Sequence, residues 1–273
     1  MTPVNCGFDK SNPYNYVHFF MSFYITTKME QNGKMRAYRQ QVKSEDLVIF
    51  EVKVKETDLL ISAQRGLKKE AEESVKRYRA QLEDYIKEDP LFETTLSPCQ
   101  IRKGCPRIVE VMAEAASVAK VGPMAAVAGA MAELVGRDLL NWSEEIIVEN
   151  GGDIFLKVLK ERQVGIFAGS SPLSSKISLK INPLDTPLGI CTSSGTVGHS
   201  LSLGRADAVT VVSPSTALAD ALATRIGNII KTKEDIPQGL NLAQKIKGVK
   251  GVVIIKEEKM GIWGDLKLSP CPD

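Results

Sequence analysis

A chain of 273 residues, 43% hydrophobic and 25% charged, has an ordinary globular composition and is long enough for one large domain or two small ones. A formal net charge of +2 leaves no broad electrostatic footprint for nucleic acid, and the most charged stretch, residues 64–90, mixes signs as a solvated helix face does. No apolar run approaches the roughly 20 residues that span a bilayer, and five scattered cysteines without a CxxC pair fit neither a disulfide framework nor a zinc site, so a reducing, cytoplasmic setting is expected.

Residues 1–34 lack the basic region and small-residue cleavage site of a signal peptide. They are expected to be a disordered leader or an over-extended start, with Met21, Met29 and Met35 as later starts, and His18 within them is given no role. Residues 35–273 are expected to form one domain, or two packed lobes. From 47 to 63, Val48, Phe50, Val52 and Val54 alternate with polar residues before Lys55-Glu56-Thr57 breaks the run, which predicts two antiparallel strands. Leu67, Ala71, Val75, Tyr78, Leu82 and Ile86 recur at three and four, which predicts a helix over 67–86 that Glu88-Asp89-Pro90 ends. Residues 90–105 read as a loop, and Pro106 opens a helix over 107–121 that Gly122-Pro123 stops. Pro123 opens a second helix, rich in alanine and glycine, whose small side chains suit close backbone packing.

The stretch EIIVENGGDIFLKVL places Asn-Gly between two apolar runs, the strongest short hairpin signal. Further strands are predicted at 164–168, 177–181, 189–192 and 208–212, then a helix over 215–230 capped by Ser213 or Ser215. A short helix near 242–246, a strand at 251–256 and a last strand near 263–268 finish the chain. Strands and helices are segregated, not alternating, so the fold class is α+β, with antiparallel sheets packed with helices.

No GxSxG, HExxH, P-loop or Rossmann fingerprint occurs, and chemistry rests on three local features. In Asn150-Gly151-Gly152-Asp153 the glycines expose backbone amides to an anionic or planar ligand and Asp153 is available to a ribose hydroxyl; as plain structure the same residues are a hairpin turn. Thr192-Ser193-Ser194-Gly195-Thr196 forms a hydroxyl-rich loop suited to phosphate, or else a surface turn, with His199 beside it as candidate general base. Asp220 and Thr224 stand one helical turn apart, about 40° around the axis, and a carboxylate with a hydroxyl suits a hard cation such as Mg²⁺. Their face holds Thr216, Ala217, Ala221, Ala223 and Gly227 and no Lys or Glu before Lys231, so it looks open to close approach, while Leu218, Leu222 and Ile229 would dock on the core.

The order GGD, TSSG, histidine, VTVV, ALADALAT resembles the ApbE-like superfamily, whose characterised members are FAD:protein FMN transferases, and within it the branch found in archaea and anaerobic bacteria. The resemblance covers residues 115–227, and ADALAT, here 219–224, is its most specific piece. It implies an ApbE-like α+β fold, Asp220 and Thr224 as Mg²⁺ ligands, and Gly151, Gly152, Thr192, Ser193, Ser194 and Gly195 around a flavin nucleotide, FAD or FMN. The sequence departs from the transferases after TSSG. Their longer insertion before the histidine and the Asp-Pro after it are missing, since the chain reads His199-Ser200-Leu201-Ser202-Leu203-Gly204, and their FAD-covering N-terminal region is not recognisable.

The residues leave three functions open. One is an ApbE-like enzyme that binds a phosphate-bearing ligand with Mg²⁺ and carries out flavin or nucleotidyl-type transfer, with His199 as general base. Another is a protein without transferase activity that binds a metabolite or assists sulfur or cofactor metabolism. The third is a homo-oligomeric scaffold built through the small-residue helices at 113–132.

Overall fold

A computed structural model describes residues 46–195 and 204–271, all of which fall in one compact unit, residues 41–273. The expected leader 1–34 and His199 lie outside the described residues. Strands β1 (Val48–Val54) and β2 (Thr57–Ala63) form the predicted first hairpin, Lys55 taking a φ of 52° at its turn. Helix α1 (Lys68–Glu88) buries Ala71, Val75, Tyr78 and Leu82 along the stripe its periodicity sets. The expected loop contains one turn of helix, α2 (Leu91–Thr94), which seats Phe92 in the core against the edge of Tyr85. Helix α3 (Arg107–Ala119) ends at Lys120 in the left-handed conformation, and a 3-10 turn (Pro123–Ala126) leads into α4 (Val127–Leu139).

The glycine hairpin joins β3 (Ile146–Asn150) and β4 (Asp153–Lys157); β5 (Arg162–Gly165), β6 (Ile177–Ile181), β7 (Leu188–Ser193) and β8 (Ala208–Ser213) follow. Helix α5 (Thr216–Ile229) is capped by Ser215, whose hydroxyl accepts from the Leu218 amide, while Ser213 binds the Ser215 amide and the Gly248 carbonyl. The short helix expected at 242–246 begins earlier, as α6 (Ile236–Gln244). A capping box between Thr232 and Asp235 starts the preceding 3-10 turn, and Pro237 suits the first turn that follows. After β9 (Gly251–Lys256), the single strand expected near 263–268 is two, β10 (Lys259–Gly264) and β11 (Lys267–Pro270). Gly264, at φ 99°, breaks the run and redirects the chain into the other sheet.

One sheet has the order β1-β2-β3-β4-β7-β8-β9-β10 and the other β11-β6-β5, with every pairing antiparallel. Strand alternation divides the large sheet between two cores. Val148, Phe155, Cys191, Val209, Val211 and Ile254 face the helices, while Ile147, Ile154, Ile190, Val212 and Val253 face the cluster that includes Leu179 and Ile181 of the small sheet. The result is three layers, helices on sheet on sheet, and the predicted α+β class. Among the described residues no single helix is long and apolar enough to cross a membrane.

Candidate functional site

Asn150 and Asp153 are cross-strand partners, so the turn between β3 and β4 consists of Gly151 and Gly152 alone. Their φ values of 67° and 107° need glycine at both places, as the tightest hairpin turn does. The Glu149 carboxylate, buried on the opposite face from Asn150, accepts the Gly152 amide at 2.8 Å and the Gly152 carbonyl accepts from Thr192 at 3.2 Å, which ties the turn to β7. A side chain at Gly151 would meet nothing within 4 Å, so this amide edge is open to approach.

Period-two geometry sorts the remaining side chains. Asp153 pairs directly with Cys191, and both lie on the helix face of the sheet. There α5 runs along β7: Gly189 touches Thr216, and a methyl on Gly227 would stand 3.4 Å from Ser193 Oγ. Between these contacts Asp220 comes down beside Asp153 and Cys191, whose thiol donates to the Thr216 carbonyl at 3.3 Å. Burial raises the Asp153 carboxyl well above the usual carboxylate range, and the neighbouring Asp220 charge adds to the effect. Burial likewise pushes Asp220 up to about 7, against the Gly129 and Ala128 amides that pull it down. The Cys191 thiol is raised well above its ordinary value by burial and by the two carboxylates, which suits a small buried residue and not a nucleophile. Among the described residues neither carboxylate makes an ion pair, and no three His, Cys, Asp or Glu side chains are grouped to hold a metal alone.

The small-residue face of α5 differs from its sequence expectation. It is buried almost all round, and what approaches it is α4. A methyl on Gly129 would stand 2.5 Å from the Thr216 carbonyl oxygen and 2.8 Å from Asp220 Cβ. Each helix closes the other's first turn: Asp220 Oδ2 accepts the Gly129 amide at 2.8 Å, and Glu133 Oε2 accepts the Thr216 amide at 2.8 Å. Arg137 balances Glu133 with two nitrogens on its other oxygen. Sequence reasoning passed over Glu133, although an acid alone in the run PMAAVAGAMAELVG is the signal that would have found it.

Thus Gly151, Gly152, Asp153, Ser193 and Asp220 converge where the ends of β3 and β7 meet α5, with Thr224 half-buried one turn beyond Asp220 toward Gly227. Asp153 faces inward beside Asp220, away from the turn's open edge. Thr192 does not join this group: parity turns it to the opposite face, where its hydroxyl meets Thr210 at 2.9 Å. The Gly195 amide donates to the Ala206 carbonyl at 2.9 Å, and Gly204 packs against the Gly227 carbonyl, so both ends of the 196–203 segment lie at the C-terminal end of α5, next to Ser194. His199 belongs to that segment, outside the described residues.

Comparison with known proteins identifies the family. The family model described as AbpE bacteria matches residues 39–255. The UPF0280 protein of Methanocaldococcus jannaschii is 41% identical over 219 residues, covering 78% of this chain and 89% of its own. That of Methanosarcina acetivorans is 39% identical over 196 residues, covering 71% and 77%. Among solved structures, the flavinyl transferase ApbE of Pseudomonas stutzeri is similar in fold at a TM-score of 0.52 and 14% identity, over 80% of this chain and 94% of that one. The ApbE protein of Thermotoga maritima is similar at 0.51 and 11%, over 79% and 96%. By family match, relatives and fold together, the chain belongs to the ApbE-like family, in the branch that includes the archaeal UPF0280 proteins.

Proposed function

We propose that this protein is a flavin-related transferase whose site takes a phosphate-bearing flavin nucleotide together with a divalent cation, Mg²⁺ in the first instance. The observation that carries the proposal is the convergence of an open diglycine turn, Ser193 and the Asp153–Asp220 pair at one end of the large sheet. Two buried carboxylates without a cationic partner call for positive charge. With the Thr224 hydroxyl they offer oxygen donors to a hard ion that keeps part of its water and shares substrate phosphates. The residues present therefore fit the cation, with Asp220 and Thr224 as ligands and Asp153 beside them; once bound, the ion supplies neutralisation of phosphate charge. The chain's own groups would do the rest. The Gly151 amide receives an anionic or planar edge, with the Gly152 amide held by Glu149 to fix the turn, the hydroxyls of Ser193 and Ser194 orient phosphate, and His199 accepts the proton of the attacking group. Thr192 would contribute through its backbone, because its hydroxyl is committed to Thr210.

The test is titration of the purified protein with Mg²⁺ and with FAD or FMN, alongside mass spectrometry of any ligand carried through purification. The proposal expects flavin-nucleotide binding that depends on the cation, with both affinities lost in Asp220→Ala. It is abandoned if neither binds and Asp220→Ala changes no affinity. The second function, a metabolite-binding protein without transferase activity, is favoured by the short passage from Gly195 to Gly204, and a co-purified ligand that is not a nucleotide would select it. The homo-oligomeric scaffold has less support, since Ala113, Ala116, Ala119, Ala126, Ala130 and Ala132 are used inside the helix layer.

A further inference from the structure

One peptide unit of the first turn of α4 is held from both sides. The carbonyl of Ala128 accepts from Asn150 Nδ2 at 3.1 Å, and the amide of Gly129, the other half of that peptide bond, donates to Asp220 Oδ2 at 2.8 Å. Asn150 is the last residue of β3, immediately before the diglycine turn, and its position in the strand puts its side chain on the helix face with Val148. The bond to Asn150 is extra to the helix ladder, using a carbonyl that already points at a partner one turn on. We infer that Asn150 is a positioning residue: by clamping the Ala128–Gly129 peptide it fixes the orientation of the Asp220 carboxylate and locks the diglycine turn and Asp220 into one rigid unit.

The physical basis is geometric. The helix ladder gives the Ala128 carbonyl one partner; a second donor on its other lone pair restricts the remaining tilt of the amide plane, so that its N–H points in one direction and an acceptor bound to it inherits that direction. Asp220 sits on another helix with a buried side chain, so the Gly129 amide, together with the Ala128 amide beside it, orients its carboxylate. This goes beyond the proposed function and rests on it for the cation readout alone.

The experiment combines amide hydrogen exchange with Mn²⁺ titration on the full chain, comparing wild type with Asn150→Leu, Asn150→Ala and Asn150→His. Leucine keeps the volume and removes the donor, alanine is the fallback should leucine fail to fold, and histidine returns a donor at nearly the same place through Nδ1. The expected result in the leucine or alanine variant is faster exchange at Gly129, by roughly 3- to 10-fold as for loss of one hydrogen bond. The amides of Leu156 and Val211 in the sheet should be unchanged. Mn²⁺ affinity should fall by a similar factor, and histidine should restore both. Unchanged exchange at Gly129 overturns the inference, as does equal acceleration at all three amides, which is global loosening. If wild type binds no Mn²⁺, the proposed cation site fails and the exchange data alone decide the role of Asn150.

Discussion

Asp220 carries two duties that substitution can separate. It closes the first turn of α4, and it supplies the charge proposed for cation binding. Asp220→Asn keeps an oxygen for the Gly129 amide and removes the charge; Asp220→Ala removes both. In chelator at pH 8 the alanine variant should lose about 1 kcal/mol or more of stability, as for a deleted cap, while the asparagine variant should be at least as stable as wild type, and both should lose Mg²⁺ affinity. Thermal denaturation with chelator and a cation titration check this. The pH dependence follows from the same pair. Burial holds the Asp220 carboxyl at about 7 and Asp153 well above its ordinary range, so between the unfolded value near 4 and the folded value the native state binds more protons than the unfolded one. The pair's contribution to stability in chelator is therefore fully present below the unfolded value and is lost as pH rises through about 7. Asp153→Asn should flatten that decline, and an unaltered slope in thermal melts from pH 5 to 8 would count against the carboxylate pair.

At the scale of elements, the contact between α4 and α5 depends on glycine at position 129. A methyl at Gly129 would collide with the Thr216 carbonyl, a backbone atom that cannot turn aside, so Gly129→Ala should cost on the order of 1–3 kcal/mol through overpacking. Gly227, on α5, faces Ser193 at ordinary contact distance, and Gly227→Ala should be neutral or stabilising because alanine is the better helix former. Denaturant midpoints of the two variants decide between them. The helix over 215–230, its cap and the hairpin around Asn-Gly were legible because each is a local preference written in consecutive residues. The identity of what approaches the small face of α5 was not, because Gly129 and Thr216 are far apart in sequence and only packing brings them together.

For the whole molecule, Arg162 joins the two sheets. Standing on β5, it binds Glu145 at the head of β3, with Nε at 2.7 Å, and Asp46 before β1, with Nη1 at 2.8 Å. Glu145 is 3% exposed, so removal of its partner leaves a charge in the interior. Arg162→Ala should destabilise the protein by about 3 kcal/mol, at the lower end for a broken buried pair, and the loss should persist in high salt, where a surface pair would already be screened. A denaturant melt at low and high ionic strength measures both.

What the sequence by itself determined is everything that repeats over short distances. Alternating and three-four apolar periods set the strands and helices, segregation of the two set the α+β class, and the motif order GGD, TSSG, ADALAT set the family. It also placed Gly151, Gly152, Ser193 and Asp220 near one another, through that order alone. The tertiary structure decided direction. Strand parity sent Thr192 to the face of Thr210 and turned Asp153 and Cys191 toward the helices, because register fixes which alternate side chains meet. The α4–α5 crossing made Asp220 a cap as well as a candidate ligand, and Gly264 split the last strand between two sheets. Hydrophobic period and turn chemistry are local, whereas which buried carboxylate faces which amide depends on how three layers close on one another.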